Sequence, residues 1–599
     1  MTSTWARDGV DHHRIGPWEF EVRDDEFADI RWGGRCVLRS VRAVIRDRDW
    51  NTTALAVDRA VCTETSLTLH VRSREDGAHW GGSVRAEARA GSLLVLCDLE
   101  TARQVDTNRT GLVALIPPNA AGRRLTVGHG DGSTSDAILP AAISPHQPVA
   151  DISTLRWRDD GAAIGLAFDG DVFEMEDQRN WTDASFKVYS RPLSLPFPYR
   201  LEAGERVMQA ITITADALAP ASATADDARI ELQPCGPLPA IGLGTSTAPD
   251  PAPPTIAAPR DAAVATTLVE LDLAWPGWPR ALARAASAGA PLDVRIVLPA
   301  EAPPAGSPLP DVPDAASGAV LADVVAALAP HRVARITAFQ PAGPARHISD
   351  AAALALLRRA LADGGIDVPV VGGSRAHFTE LNRERHRLPP GLAGIVFSIT
   401  PLFHSRDTEQ LVESLAMQRL VARQAVDIAG GVPVHVGPIT LRPHVNDVAT
   451  TPPPRPTASD LAGGYGTHLI DADDPRQGAR ELAAWTIASA AALAVPGVAS
   501  LTYFERWGPR GIVTARGDAL PVAAAIDAIT ALSGREALSG GTADGLVWAL
   551  STETAAGRCV LAANLDRRDR RVELRISGRR TTLDLSAGAW RRVDLDEER

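Results

Sequence analysis

A chain of 599 residues is too long for one hydrophobic core and predicts roughly three or four domains. Its 45% hydrophobic and 22% charged content is that of a globular protein, and its net charge of −12, spread along the sequence, argues against nucleic acid or an anionic membrane as a partner. Five scattered cysteines (Cys36, Cys62, Cys97, Cys235 and Cys559) form no Cys-x-x-Cys pair, which predicts reduced thiols. With a polar N-terminus and only short apolar stretches, the expectation is a cytoplasmic protein without signal peptide or membrane span.

Residues 1–235 read as a β-rich domain of the sandwich kind: segments such as 18–22, 66–71 and 93–97 are separated by Gly/Asp/Arg turns, and several alternate with period two. Residues 236–262, densest in proline over 247–254, read as an extended linker. From 263 to 534, short apolar strands alternate with helical stretches. Strands are predicted at 268–273, 292–298, 333–339, 368–371, 394–399, 433–436 and 499–504, with 511–514 as the eighth. Helices are predicted at 278–288, 320–328, 351–362, 408–428, 475–494 and 521–532. This alternation fits a TIM-type (β/α)₈ barrel, whose usual span is ~250 residues. An open doubly wound sheet is the alternative, but no Gly-rich phosphate loop follows the first predicted strand. Residues 535–599 return to β and predict a small C-terminal sandwich that borrows strands from the N-terminal side; the proline-rich pieces 302–313 and 452–456 read as loops.

Residues just past the C-terminal ends of barrel strands face the site. Glu380 and Glu505 follow the fourth and seventh predicted strands, so they are expected to face each other across the mouth. Two facing carboxyls can divide into proton donor and base or nucleophile. The structural alternative is an ion pair, for Glu380 with Arg383. His404 follows the next strand and is a candidate base or hydrogen-bond donor. Arg442 and Asn446 flank His444 on a further loop and are assigned to substrate hydroxyls or a carbonyl oxygen, with Asn382 and Tyr503 as additional substrate contacts. Metal spacing is weak: there is no His-x-His at a strand end and no His-Glu-x-x-His. Convergence of His377, His404 and His444 on a metal ranks below a site with neither metal nor cofactor.

Among 61 basic residues there is one lysine, Lys187, which sits in a polar stretch at 173–189 with Asp183. A lysine where every other basic residue is arginine suggests a place guanidinium cannot fill; a packed aliphatic stem is the alternative. The stretch is expected either to brace the domain interface or to reach over the barrel mouth and complete the pocket, with Lys187 and Asp183 as substrate contacts.

Taken together, Arg46-Asp47-Arg48-Asp49-Trp50-Asn51-Thr52 and the stretches 174–187, 401–407, 440–446, 474–477 and 503–511 resemble the D-apionate lactonases, over nearly the whole chain. The resemblance implies a β domain, barrel and β domain in that order, and hydrolysis of D-apionolactone to D-apionate or of a related aldonolactone. It carries no catalytic assignments. The combined expectation is a lactonase acting on a small sugar lactone: Glu505 or Glu380 activates water, the other carboxyl or His404 serves the leaving alkoxide, and Lys187 or Arg442 stabilises the oxyanion. The alternatives are a retaining glycosidase, with Glu380 as acid/base and Glu505 as nucleophile, and a non-catalytic carbohydrate-binding protein.

Overall fold

The computed structural model describes residue 5 and residues 11–73, 79–159, 161–217, 229–248, 264–299, 315–449, 451, 474–555, 557–576 and 578–595. The loops read at 302–313 and 452–456, and the linker beyond residue 248, lie outside the described residues or nearly so.

Alternation of apolar and polar residues folds the N-terminal domain into a pair of antiparallel nine-stranded sheets. The first is centred on the long strands Arg35–Asp47 and Val105–Ile116, flanked by the hairpin Phe173–Asp177 and Phe186–Ser190. The second runs from Thr134–Ile138 to Leu55–Cys62. Val41, Ala43 and Ile45 of the first sheet and Leu93, Val95 and Cys97 of the second belong to one buried core. The intervening residues Arg42, Val44 and Arg46 therefore point to the opposite face of their sheet.

Eight parallel strands form the barrel: Ala240–Gly244, Thr266–Asp272, Leu292–Val297, Val333–Phe339, Gly372–Gly373, Ile395–Ile399, Val434–Ile439 and Val498–Glu505. They are called strands one to eight below. A parallel bridge between Ile336 of strand four and Val370, two residues ahead of strand five, nearly closes the ring. The strand missing from the sequence reading is thus the first. Ala240–Gly244 lies in the stretch read as linker, where Gly and Pro around a five-residue run masked it. The segment 511–514 is not the eighth strand; Gly511 and Val513 make only isolated bridges. Every strand after the first moves up one place, so Glu380 follows strand five and Glu505 ends strand eight.

Strands Arg229–Glu231 and Gln233–Pro237 pair with Arg570–Ile576 and Glu536–Gly541, so the C-terminal sandwich takes two strands from the segment ahead of the barrel. Helix Arg480–Leu493 is apolar nearly all round because it is enclosed by barrel helices on one side and strands Val547–Thr554 and Gly557–Asn564 on the other. No helix among the described residues is long and apolar enough to cross a membrane.

Candidate active site

The outward face of the first N-terminal sheet lies under the barrel mouth, and a cavity of about 410 Å³ separates them. That is the size of a small-molecule site. Its floor follows the period-two pattern: Arg42, Val44 and Arg46 come from one long strand, Gly111, Val113 and Leu115 from the next, and Lys187 and Tyr189 from the hairpin. Phe403, His404 and Ser405 after strand six and Arg383 after strand five form the roof. The lining carries Arg39, Arg42, Arg46, Arg109, Lys187 and Arg383 against Glu26, Glu176 and Asp183, so its net charge is positive.

Local turns hold the reactive groups in place. The hairpin loop is a 3₁₀ turn, Gln178–Trp181, capped by Asp177 and closed by Thr182 in the left-handed region at φ 69°. Just beyond it, Asp183 accepts a hydrogen bond from His404 Nδ1 at 3.0 Å, with the carboxylate side chain 6% and the imidazole 13% exposed. An ionised carboxylate only accepts, so Nδ1 carries the proton and Nε2 of the neutral ring is the basic nitrogen. Burial lowers the His404 pKa, Asp183 opposes that, and the nearby charges of Lys187 and Arg46 add to the lowering. The ring stands edge-on to Trp181 and Phe403, at 5.0 and 4.9 Å between centroids.

Lys187 Nζ lies 2.6 Å from Glu176 and 4.9 Å from the centre of the Tyr189 ring. Across the hairpin Glu176 pairs with Lys187 and Glu174 with Tyr189, so all four share the cavity face. Against burial, Lys187 and Arg383 hold the Glu176 carboxyl down to about 2. Arg46 donates to the Trp50 carbonyl at 3.1 Å and has no ion-pair partner among the described residues. Burial lowers its guanidinium to about 10, which still leaves it charged at neutral pH.

The Asp47 carboxylate accepts from the backbone N–H groups of Asp49 and Asn51, both at 2.8 Å, and organises a turn that places Trp50 at φ 65°. Trp50 stands edge-on to Phe197 at 5.3 Å, and Arg109 lies 5.2 Å over it. A non-glycine residue in this region costs on the order of 1–3 kcal/mol and clusters at functional sites.

Of the residues singled out from sequence, His404, Asp183 and Lys187 meet in this cavity. The others do not. Glu505 is buried and accepts from the Thr247 N–H at 2.9 Å and hydroxyl at 2.6 Å, pinning the loop after strand one to strand eight. Glu380 lies instead beside His377 and Asp447. The two carboxylates share no partner among these interactions and neither lines the cavity, so nothing joins them into the expected facing pair. Tyr503 was expected on the face of Glu505, but an extra residue, Phe504 at φ 45°, bulges the strand. The Tyr503 hydroxyl donates to Ser489 at 2.9 Å in the core. Asn382 donates to Asn180 at 3.0 Å and to the Ile143 carbonyl at 3.2 Å, bracing barrel against β domain. Arg442 is held by Asp474 at 2.9 Å, and Asn446 donates to the Asp49 carbonyl at 3.0 Å. The three histidines weighed for a metal are divided, since His404 is taken by Asp183 and His377 by Asp447.

Replacing Glu505 with glutamine leaves an amide group facing the donors of Thr247. This substitution is expected to cost about 2–3 kcal/mol of stability, read as a lowered Tm, while kcat of the folded enzyme stays within twofold. A hundredfold fall in kcat at unchanged Tm would return Glu505 to the chemistry.

Arg46, Trp50, Trp181, Phe403, Glu176 and Arg109 line the cavity but were not chosen from sequence. All but Arg109 lie in the 46–52, 174–187 and 401–407 stretches singled out from sequence. Nothing in the sequence showed that they face one another.

A β domain set against the mouth of a barrel, with a cavity of small-molecule size at their junction, is a plan that suits a TIM-barrel enzyme. Family models for the D-apionate lactonase N-terminal domain and TIM barrel domain match residues 2–218 and 241–534. The chain belongs to the D-apionate lactonase family, and so is a hydrolase of the lactonase class. It is 27% identical over 561 residues to the D-apionate lactonase of Brucella anthropi, covering 88% of each chain. Among solved structures it is similar to a β-arabinopyranosidase (9% identity, 97% of each chain, TM-score 0.27) and to SrfJ from Salmonella typhimurium (10% identity, 63% of this chain and 94% of that one, TM-score 0.39). Likenesses this distant do not bear on the chemistry.

Proposed function

We propose that the chain opens D-apionolactone, or a closely related aldonolactone, to the aldonate, with His404 as general base. The observation that carries this reading is the His404–Asp183 pair in a net-positive cavity between the domains. Water attacks the lactone carbonyl carbon as His404 Nε2 takes its proton. Asp183 holds the ring in the required tautomer and stabilises the imidazolium. Negative charge then develops on the carbonyl oxygen, and Arg46 and Lys187, both close enough to perturb His404, are the cations placed to meet it. Collapse breaks the ring C–O bond, and the imidazolium returns its proton to the departing alkoxide. One water is consumed and a carboxylic acid and a hydroxyl appear. Trp50, Trp181 and Phe403 supply apolar faces for the sugar ring.

A retaining glycosidase needs two carboxyls roughly 5–5.5 Å apart across one bond. Glu380 and Glu505, in separate networks, give that reading no support. The test is a panel of aldonolactones and aryl glycosides. Ring opening above background, fastest for D-apionolactone, with the glycosides left intact is the expected result. Sugar affinity without turnover of any lactone would show a binding protein instead.

A further inference from the structure

We propose that His377, Glu380 and Asp447 form a binding site for a divalent first-row transition cation at the C-terminal face of the barrel, beside the lactone cavity and separate from it. One ligand atom from each residue lies within 4.8 Å of the other two. His377 caps the helix Phe378–Glu384 and Glu380 stands three residues further on, so the two share one side of its first turn. Asp447 comes from the loop after strand seven. His377 Nδ1 meets Asp447 Oδ2 at 3.0 Å, and its Nε2 bonds the Thr400 hydroxyl.

Asp447 Oδ1 and Glu380 Oε2 are buried and have no hydrogen-bond partner, and the Asp447 residue is only 5% exposed. Nearby, His347 Nδ1 is a third buried atom without one. Orphaned polar atoms in the interior are rare, and here two belong to one three-residue cluster. Two carboxylates meet here beside a single imidazole, each with one oxygen left without a donor. A cation satisfies both orphaned oxygens. Imidazole nitrogen with carboxylate oxygen is a donor set for Zn²⁺ or Mn²⁺ rather than for a soft, thiolate-seeking metal.

The Phe403 ring lies between this cluster and the dyad, 4.7 Å from His377 and 4.9 Å from His404. A cation here ties the loop after strand seven to the helix that carries Arg383. Arg383 in turn lies 5.2 Å over Trp181 and 3.6 Å from Glu176 in the cavity roof. Its role is to hold that roof in place. The other occupant these oxygens could share is a proton.

The experiment strips the full-length protein with chelator and titrates it with Zn²⁺ or Mn²⁺ alone, by calorimetry and thermal melting. One equivalent of at least one ion is expected to bind, raising Tm by about 5 °C at a hundredfold excess over Kd. Glu380→Gln and Asp447→Asn should each weaken binding about 100-fold or more, while His404→Ala binds the ion like the wild type. That last variant separates failure of the metal site from failure of the lactonase reading. If neither ion binds, or if the two carboxylate variants bind as tightly as wild type, the proposal falls and the shared proton is the occupant. Should the variants not fold, anomalous scattering from metal-soaked wild-type crystals decides: a peak among the three residues supports the site, and a peak elsewhere overturns it.

Discussion

Replacing His404 with alanine is expected to lower kcat by about 10²–10⁴-fold, with KM for the lactone changed far less and the Tm within a few degrees of wild type. The ring contributes a basic nitrogen rather than core volume: it lines the cavity, with its side chain still 13% exposed. Single-turnover kinetics on a folded variant are the measurement. Activity within threefold of wild type would remove His404 from the mechanism. The pH profile gives a second reading of the same group. Burial lowers the His404 pKa below its ordinary 6.5, so the base is neutral at pH 7 and kcat/KM should be flat there. Activity should fall only as pH drops through that lowered value, because protonation removes the basic lone pair. Asp183 favours the protonated ring, so Asp183→Asn takes away a raising influence. Its acid limb should shift to lower pH while the plateau falls, since the amide no longer enforces the tautomer. An acid limb that moved upward would contradict the pairing.

The second large effect is expected at Arg46. Lys187 already faces Glu176, whereas Arg46 makes only a backbone hydrogen bond and meets no carboxylate at ion-pair distance among the described residues. Its charge is thus available to the oxygen that becomes negative. Arg46→Met keeps the stem and removes the guanidinium, and should cost about 10²–10³ in kcat. The same change relieves His404 of a neighbouring cation, so the residual activity should show an acid limb at higher pH than wild type. If only KM rose, Arg46 would be holding the ground state and not the transition state.

Much of the barrel was legible because buried parallel strands are continuous apolar runs that alternate with helical stretches. Strand Val333–Phe339 was read to the residue, and helices Ala351–Asp363 and Thr408–Ala429 to within one. Ala240–Gly244 was not legible. Five residues with two glycines, next to proline, carry no periodic signal of their own, and they become a strand only by lying between strands two and eight. Tyr503 failed for a related reason. Alternation along strand eight holds only if the backbone stays extended, and the bulge at Phe504 turns Glu505 out of the alternation.

By itself the sequence determined the β–barrel–β plan and the family, and it singled out the 173–189 stretch with its single lysine. These are properties of composition, periodicity and local motif, which a linear chain carries in full. Which carboxylate meets which base was decided only by the tertiary structure. Asp183 reaches His404 across 221 residues, and Glu505 is drawn to Thr247 across 258. The first contact depends on how the β domain docks on the barrel, and the second on the pairing of strand one with strand eight.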